Sequence, residues 1–302
     1  DDQTTLEGIF AATDLLVATH CENTPMILQA EADAAAKWGE DIPFQEHPNI
    51  RSEDACYASS SLAVGLAKKY GTKLHVLHLT TAKEMELFEV GPLENKRITA
   101  EACVHHLFFS ADDYAERGAF IKCNPAIKTA ADRAALLKAV AEDRIDVIAT
   151  DHAPHTLEEK SRKYAGAPAG LPLVQHALVS LMERVEDGTF SIEHVVRKTS
   201  HAPAILYQVA ERGFLREGYF ADFTLIAPNT SREDEPVLSK CGWSPFAGYP
   251  FKHRIAGTWV NGHQRYDGQQ VVEGPYGQAL AYPVSYTHLR AHETEADLVC
   301  RL

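Results

Sequence analysis

The sequence predicts an α/β fold built on a parallel sheet, and three observations carry that expectation. Up to about residue 210, short β-branched runs alternate with longer amphipathic stretches. Helix-start and helix-stop residues bracket the longer stretches. Three of the four strand-like runs end on side chains able to bind a metal. Strand, crossover helix and strand in regular succession belong either to a parallel barrel or to a doubly wound sheet.

Leu15 to His20 (LLVATH) reads as a buried strand. Asn23 or Thr24, with Pro25, then caps and opens a helix through Trp38. Ser52, followed by Glu53 and Asp54, opens a second helix to about Tyr70, and Gly71 stops it. Lys73 to Leu79 (KLHVLHL) is the next strand, with a helix expected from Thr81. Arg97 to Cys103 is a third strand, Thr129 to Glu142 a helix, and Ile145 to Thr150 a fourth strand. From about Gly213 the texture changes. The short segments Phe223–Ile226, His253–Ile255 and Thr258–Val260 lie between Gly, Pro and Asn-Gly turns, which predicts a small β-sandwich-type unit over residues 213–282. Residues 283–302 follow neither pattern. The run VSYTHLRAHET at 284–294 resembles translated sequencing adapter, so a non-native tail is expected there and His288 and His292 carry no functional weight.

Composition narrows the function classes. The 302 residues hold 29 basic and 42 acidic side chains, a formal charge of −13, which disfavours binding to phosphate backbones or anionic membranes. A local basic pocket could still take an anionic small molecule. Six cysteines without CxxC spacing read as reduced thiols, and no apolar run approaches the roughly 20 residues that span a membrane. A cytoplasmic location is expected.

Three of the four strands end on potential metal ligands: His20, His78 and Asp151. One histidine at a strand end is usually a hydrogen-bonded structural residue. Three ligand-type residues at equivalent positions are not so easily explained, and imidazole with carboxylate suits Zn²⁺. Thr150-Asp151-His152-Ala153-Pro154-His155 is the most specific run, since two histidines and a proline-stiffened turn after a strand-end Asp have no packing purpose.

These motifs resemble the dihydroorotases of the amidohydrolase superfamily. TDHAPH is similar to that family's motif, and HCEN (20–23) resembles HCED. HLTT (78–81) resembles HIST, EACVHHLFF (101–109) resembles EVTPHHLFF, and CNPAIK (123–128) resembles MNPPLR. The resemblance covers about residues 10–282. It implies a metal-dependent hydrolase (β/α)₈ TIM barrel, of which residues 1–212 are the second half, strands 5–8, with the small β-rich subdomain following. It implies two Zn²⁺ per active site in the full-length parent, with His20 and His78 on one metal and Asp151 on the other. The HxH pair and the bridging ligand are absent, as expected of an N-terminally truncated fragment, which should itself be inactive. The implied reaction is reversible hydrolysis of the cyclic amide of (S)-dihydroorotate to N-carbamoyl-L-aspartate, a step of pyrimidine biosynthesis. Asp151 would serve as the catalytic base and then acid. Asn124, His155, Ala169 and Gly170 would contact the substrate.

Cys103 and Val104 depart from the family's Thr-Pro, and Ala126 and Lys128 from its PPLR; Lys128 keeps the charge but lacks arginine's planar fork. His105 and His106 match but stay outside the metal set. Allantoinase and dihydropyrimidinase share the implied barrel and metals, and a catalytically silent dihydroorotase-like partner of aspartate transcarbamoylase is the alternative from another class. The resemblance allows a homodimer or association with aspartate transcarbamoylase, and the acidic balance argues against a nucleic-acid or membrane partner.

Overall fold

The computed structural model describes residues 2–230 and 236–282. Four short strands, β1 (Val17–Thr19), β2 (Leu74–Val76), β3 (Ile98–Cys103) and β4 (Val147–Ala149), form one sheet in that order. All three pairings are parallel, with Val17 opposite Leu74, Leu74 opposite Ile98 and Glu101 opposite Val147. Spatial order follows chain order without a reversal, which is the arrangement of a barrel segment and not of a doubly wound sheet. The adapter-like tail lies outside the described residues.

The crossover helices start and stop where their capping chemistry requires. Helix α1 spans Gln3–Ala12. Helix α2 (Thr24–Trp38) takes Asn23 as its cap, the Asn23 side chain accepting from Met26 N at 3.1 Å, and Gly39 ends it at φ 61. In α3 (Glu53–Tyr70), Ser52 accepts from Ala55 N; Glu53 and Asp54 sit at the positive end, and Lys68 and Lys69 at the negative end. After β3 comes α4 (Val104–Phe108), and Thr129 with Asp132 forms a reciprocal capping box at the start of α5 (Ala130–Ala141).

Both faces of the inner strands are covered. Leu74, Val76, Ala100 and Ala102 are fully buried, which is why these runs read as continuously apolar. Ala18 of β1 is exposed, and among the described residues β1 has no strand on its other side. Below the sheet, Lys96 Nζ donates to Asp146 Oδ1 at 2.8 Å, while Asp146 Oδ2 accepts from Ala100 N, locking β3 to β4. Helix α6 (Ala177–Glu186) buries Val179, Leu181 and Met182.

One expectation fails locally. Instead of a helix from Thr81 there is a 3₁₀ turn at Lys83–Leu87. The buried Glu84 carboxylate folds back to accept from Thr81 Oγ1 at 2.9 Å, and Gly91-Pro92 stops any continuation.

Residues 223–266 form a separate antiparallel sheet of β5 (Phe223–Pro228), β6 (His253–Val260) and β7 (His263–Tyr266). The two segments expected at 253–255 and 258–260 are one strand, β6. Asn261-Gly262, at φ 54 and 79, makes the two-residue hairpin into β7. Phe223 stacks on Trp259 across the pair at 4.7 Å. Between β5 and β6 the chain returns to the α/β core, where Trp243 and Phe246 are buried.

Candidate active site

His20 follows β1 by one residue, and His78 and Asp151 follow β2 and β4 by two. Parallel strands bring such ends to one rim, the face on which barrels place their ligands. His20 Nδ1 lies 3.1 Å from His78 Nε2, with the rings edge-on. Two facing imidazole nitrogens need a proton or a cation between them.

Glu22 determines which nitrogen of His20 is free. Its Oε2 lies 3.0 Å from His20 Nε2, and a carboxylate only accepts, so Nε2 carries the proton and Nδ1 offers its lone pair toward His78. Glu22 is itself ion-paired to Arg51. Burial pushes the Glu22 carboxyl up, but the His20 hydrogen bond and the Arg51 charge outweigh it and hold the group below the usual range. His78 is buried. Desolvation first, and the neighbouring His20 second, lower its pKa, while Asp151 pulls the other way. The neutral imidazole is the form that binds metals.

His78 Nδ1 and Asn124 Oδ1 are buried without a hydrogen-bond partner among the described residues. His78 and Asp151 both take positive φ, 35 and 50. For residues other than glycine this is strained, by about 1–3 kcal/mol each, and such strain concentrates at functional sites. Two nitrogens held by one tetrahedral zinc at about 2.0–2.1 Å would sit roughly 3.3 Å apart. The observed 3.1 Å and the lone pair set by Glu22 fit a divalent ion of the zinc type, while Asp151 stands on the same rim and reaches His78 through its charge.

Behind the rim, Glu101 ties two strands together. Its Oε1 accepts from His78 N at 3.3 Å, and its Oε2 lies 3.2 Å from His75 Nε2. Asn124 shares a cavity of about 460 Å³ with His20, Glu22 and Arg51. His78 and Asp151 are not among the residues lining that cavity.

The remaining expected residues form a second group after β4. His155 Nε2 lies 3.1 Å from Ala169 O, and Trp243 Nε1 donates to His155 O at 2.8 Å. Gly170 is buried at φ 137. A Cβ there would lie 2.6 Å from Ala153 O and 3.0 Å from His155 Nε2, so no larger residue fits. Lys160 Nζ donates to Pro168 O (2.9 Å), Gly170 O (3.1 Å) and Lys122 O (3.3 Å). Lys122 Nζ reaches Tyr164 O and Ala167 O, both at 2.7 Å. Burial lowers both lysine pKa values to about 8. The structure therefore joins His155, Ala169 and Gly170 to each other; none of them lines the cavity that holds His20 and Asn124. His152 is structural, its Nδ1 accepting from Leu173 N and Val174 N at 2.9 and 3.1 Å.

Motif reading passed over Glu22, Arg51 and Glu101. Glu22 stands two residues after His20 inside a quoted motif, so its signal was present. Arg51 belongs to no motif, and only folding brings it to Glu22.

Parallel β/α units with imidazoles and a carboxylate beyond the same ends of their strands define the ligand-binding face of a barrel-type protein. The model of the Amidohydrolase family matches residues 4–265, and the chain belongs to that family. It is 30% identical over 285 residues to the allantoinase of Bacillus velezensis, covering 93% of this chain and 62% of that protein. To the dihydroorotase of Halobacterium salinarum it is 34% identical over 256 residues, covering 83% of this chain and 58% of the relative. The chain thus spans about three-fifths of the curated relatives it matches. Among solved structures, L-hydantoinase (dihydropyrimidinase) from Arthrobacter aurescens superposes with a TM-score of 0.83 at 22% identity, over 93% of this chain and 64% of that one, and so shares the fold.

Proposed function

We propose that the chain carries part of the active site of a zinc-dependent cyclic amidohydrolase acting on dihydroorotate. The observation that carries the reaction class is the facing pair His20 Nδ1 and His78 Nε2, with Glu22 fixing the first and Asp151 on the same rim. His20, His78 and Asp151 would hold the metal. A bound zinc centre would polarise the amide carbonyl and make water a nucleophile near neutral pH.

Asp151 takes a proton from the attacking water and returns it to the ring nitrogen as the C–N bond breaks. Asn124, which lines the cavity and whose buried carboxamide oxygen has no partner among the described residues, would accept a hydrogen bond from the substrate's ring N–H. His155 would contact the substrate's carboxylate beside Ala169 and Gly170, whose Ala169 O, Gly170 O and Gly170 N must first leave their present partners, and Glu22 acts through His20. Three ligands do not complete a two-zinc centre, so we propose that the chain alone does not turn over.

Dihydroorotate is favoured by the TDHAPH and HHLFF runs together with the dihydroorotase relatives. Allantoin is the second reading, on the strength of the Bacillus velezensis allantoinase match over 93% of the chain. The test is dihydroorotate hydrolysis by a protein extended upstream to the length of the relatives. Activity that is lost with a chelator, restored by Zn²⁺ and reduced at least 10³-fold by Asp151→Asn supports the proposal. Chelator-resistant activity, or full activity in Asp151→Asn, overturns it.

A further inference from the structure

Outside that site, one group of donors is used by nothing described so far. Cys103 ends β3, and His105 and His106 begin α4; all three are buried, at 0, 0 and 2% exposure. Their donor atoms lie within 4.8 Å of one another. Both ring nitrogens of His105, and Nδ1 of His106, have no hydrogen-bond partner among the described residues. His106 Nε2 is engaged at 3.1 Å with Pro125 O, a carbonyl that only accepts. That nitrogen therefore carries the ring proton and leaves the Nδ1 lone pair open.

Burying an imidazole with neither nitrogen satisfied costs desolvation that the polypeptide itself does not return. Local sequence does not require it, because a helix turn under a sheet accepts apolar residues. The unmet groups include one lone pair on each imidazole, and these lie with the thiol within 4.8 Å of one another.

We propose that Cys103, His105 and His106 form a second metal site, beside the rim of His20, His78 and Asp151 and using none of its three ligands, that takes one zinc-class divalent ion through one sulfur and two nitrogens. Thiolate with imidazole selects Zn²⁺ or Co²⁺ over Mg²⁺ or Ca²⁺. Donors around such an ion sit roughly 3.3–3.8 Å apart, so small side-chain rotations close the present spread. The Cys103 S–H bond breaks as the metal–sulfur bond forms, and one proton leaves to solvent for each ion bound. A water supplies the fourth position. The family's usual residue at 103 is Thr, so the sulfur donor is a feature of this chain, and the site is independent of the substrate assigned above.

The experiment uses the 302-residue chain carrying His20→Asn and Asp151→Asn, two exposed positions, to silence the rim. The metal-free protein is titrated with Co²⁺ alone. One Co²⁺ per chain with a near-ultraviolet sulfur-to-cobalt charge-transfer band is expected. The band should vanish in Cys103→Ser, and affinity should fall at least 10-fold in His105→Asn. No band, or a band that persists in Cys103→Ser, overturns the proposal. If Cys103→Ser does not fold by circular dichroism, zinc-edge X-ray absorption of the Cys103-containing chain decides instead. A sulfur neighbour at about 2.3 Å supports the site, and nitrogen and oxygen neighbours alone overturn it.

Discussion

Glu22 does at residue scale what the metal-ligand motif alone does not describe. By accepting a hydrogen bond from His20 Nε2–H it leaves the Nδ1 lone pair toward His78, and Arg51 keeps Glu22 charged. Removing one such partner of a metal-binding histidine costs about 10–100-fold in metal affinity. Glu22→Gln should therefore weaken Zn²⁺ binding at the rim by that factor, read by competition with a chromophoric chelator at a temperature where circular dichroism shows the variant folded. Unchanged affinity would remove Glu22 from the site. His20, His78 and Asp151 were legible in the sequence because each ends an apolar run, which fixes its position on the sheet rim. Arg51 was not, since its pairing with Glu22 spans 29 residues and depends on how α2 and α3 pack.

Among the elements, the loop from Thr156 to Gly170 is held by backbone carbonyls on buried lysines and by the absence of a side chain at Gly170. Gly170→Ala would place a methyl 2.6 Å from Ala153 O at φ 137. The expected cost is about 1–3 kcal/mol of stability, measured by urea unfolding. An unchanged midpoint would mean that the loop relaxes freely. Lys160→Met removes three hydrogen bonds to carbonyls. Amide exchange in residues 161–170 should rise at least 10-fold without a matching rise in β2 or β3; uniform exchange would contradict this local role. The strand–helix alternation was readable here because caps such as Asn23, Ser52 and Thr129 are local chemistry. The 3₁₀ turn at Lys83–Leu87 was not, because it is set by a buried carboxylate folding back on Thr81. The helix turn at His105-His106 was hidden for a related reason, as the pattern of β3 runs directly into it.

For the whole molecule, buried histidines make stability depend on pH. Burial is the first cause that pushes His47 and His105 down to about 3 and His176 to about 4, and it holds His106 well below its usual value. Unfolded, each titrates near 6.5. Between the two values the unfolded chain binds more protons, so this stability is complete above about pH 6.5 and is lost as pH falls toward 3–4. Each histidine contributes up to about 1.4 kcal/mol per pH unit. Urea midpoints of the metal-free chain should fall steadily from pH 7 to 5, and His47→Gln should flatten the slope; a flat profile in the unmutated chain would contradict the burial described. The parallel order of β1 to β4 and the family match make the chain part of an Amidohydrolase-family protein, whose rim we propose acts on dihydroorotate. The most direct test compares kcat/KM for dihydroorotate and for allantoin in the upstream-extended, zinc-loaded protein. A preference for dihydroorotate of at least tenfold is predicted, and an equal or greater rate with allantoin would contradict it.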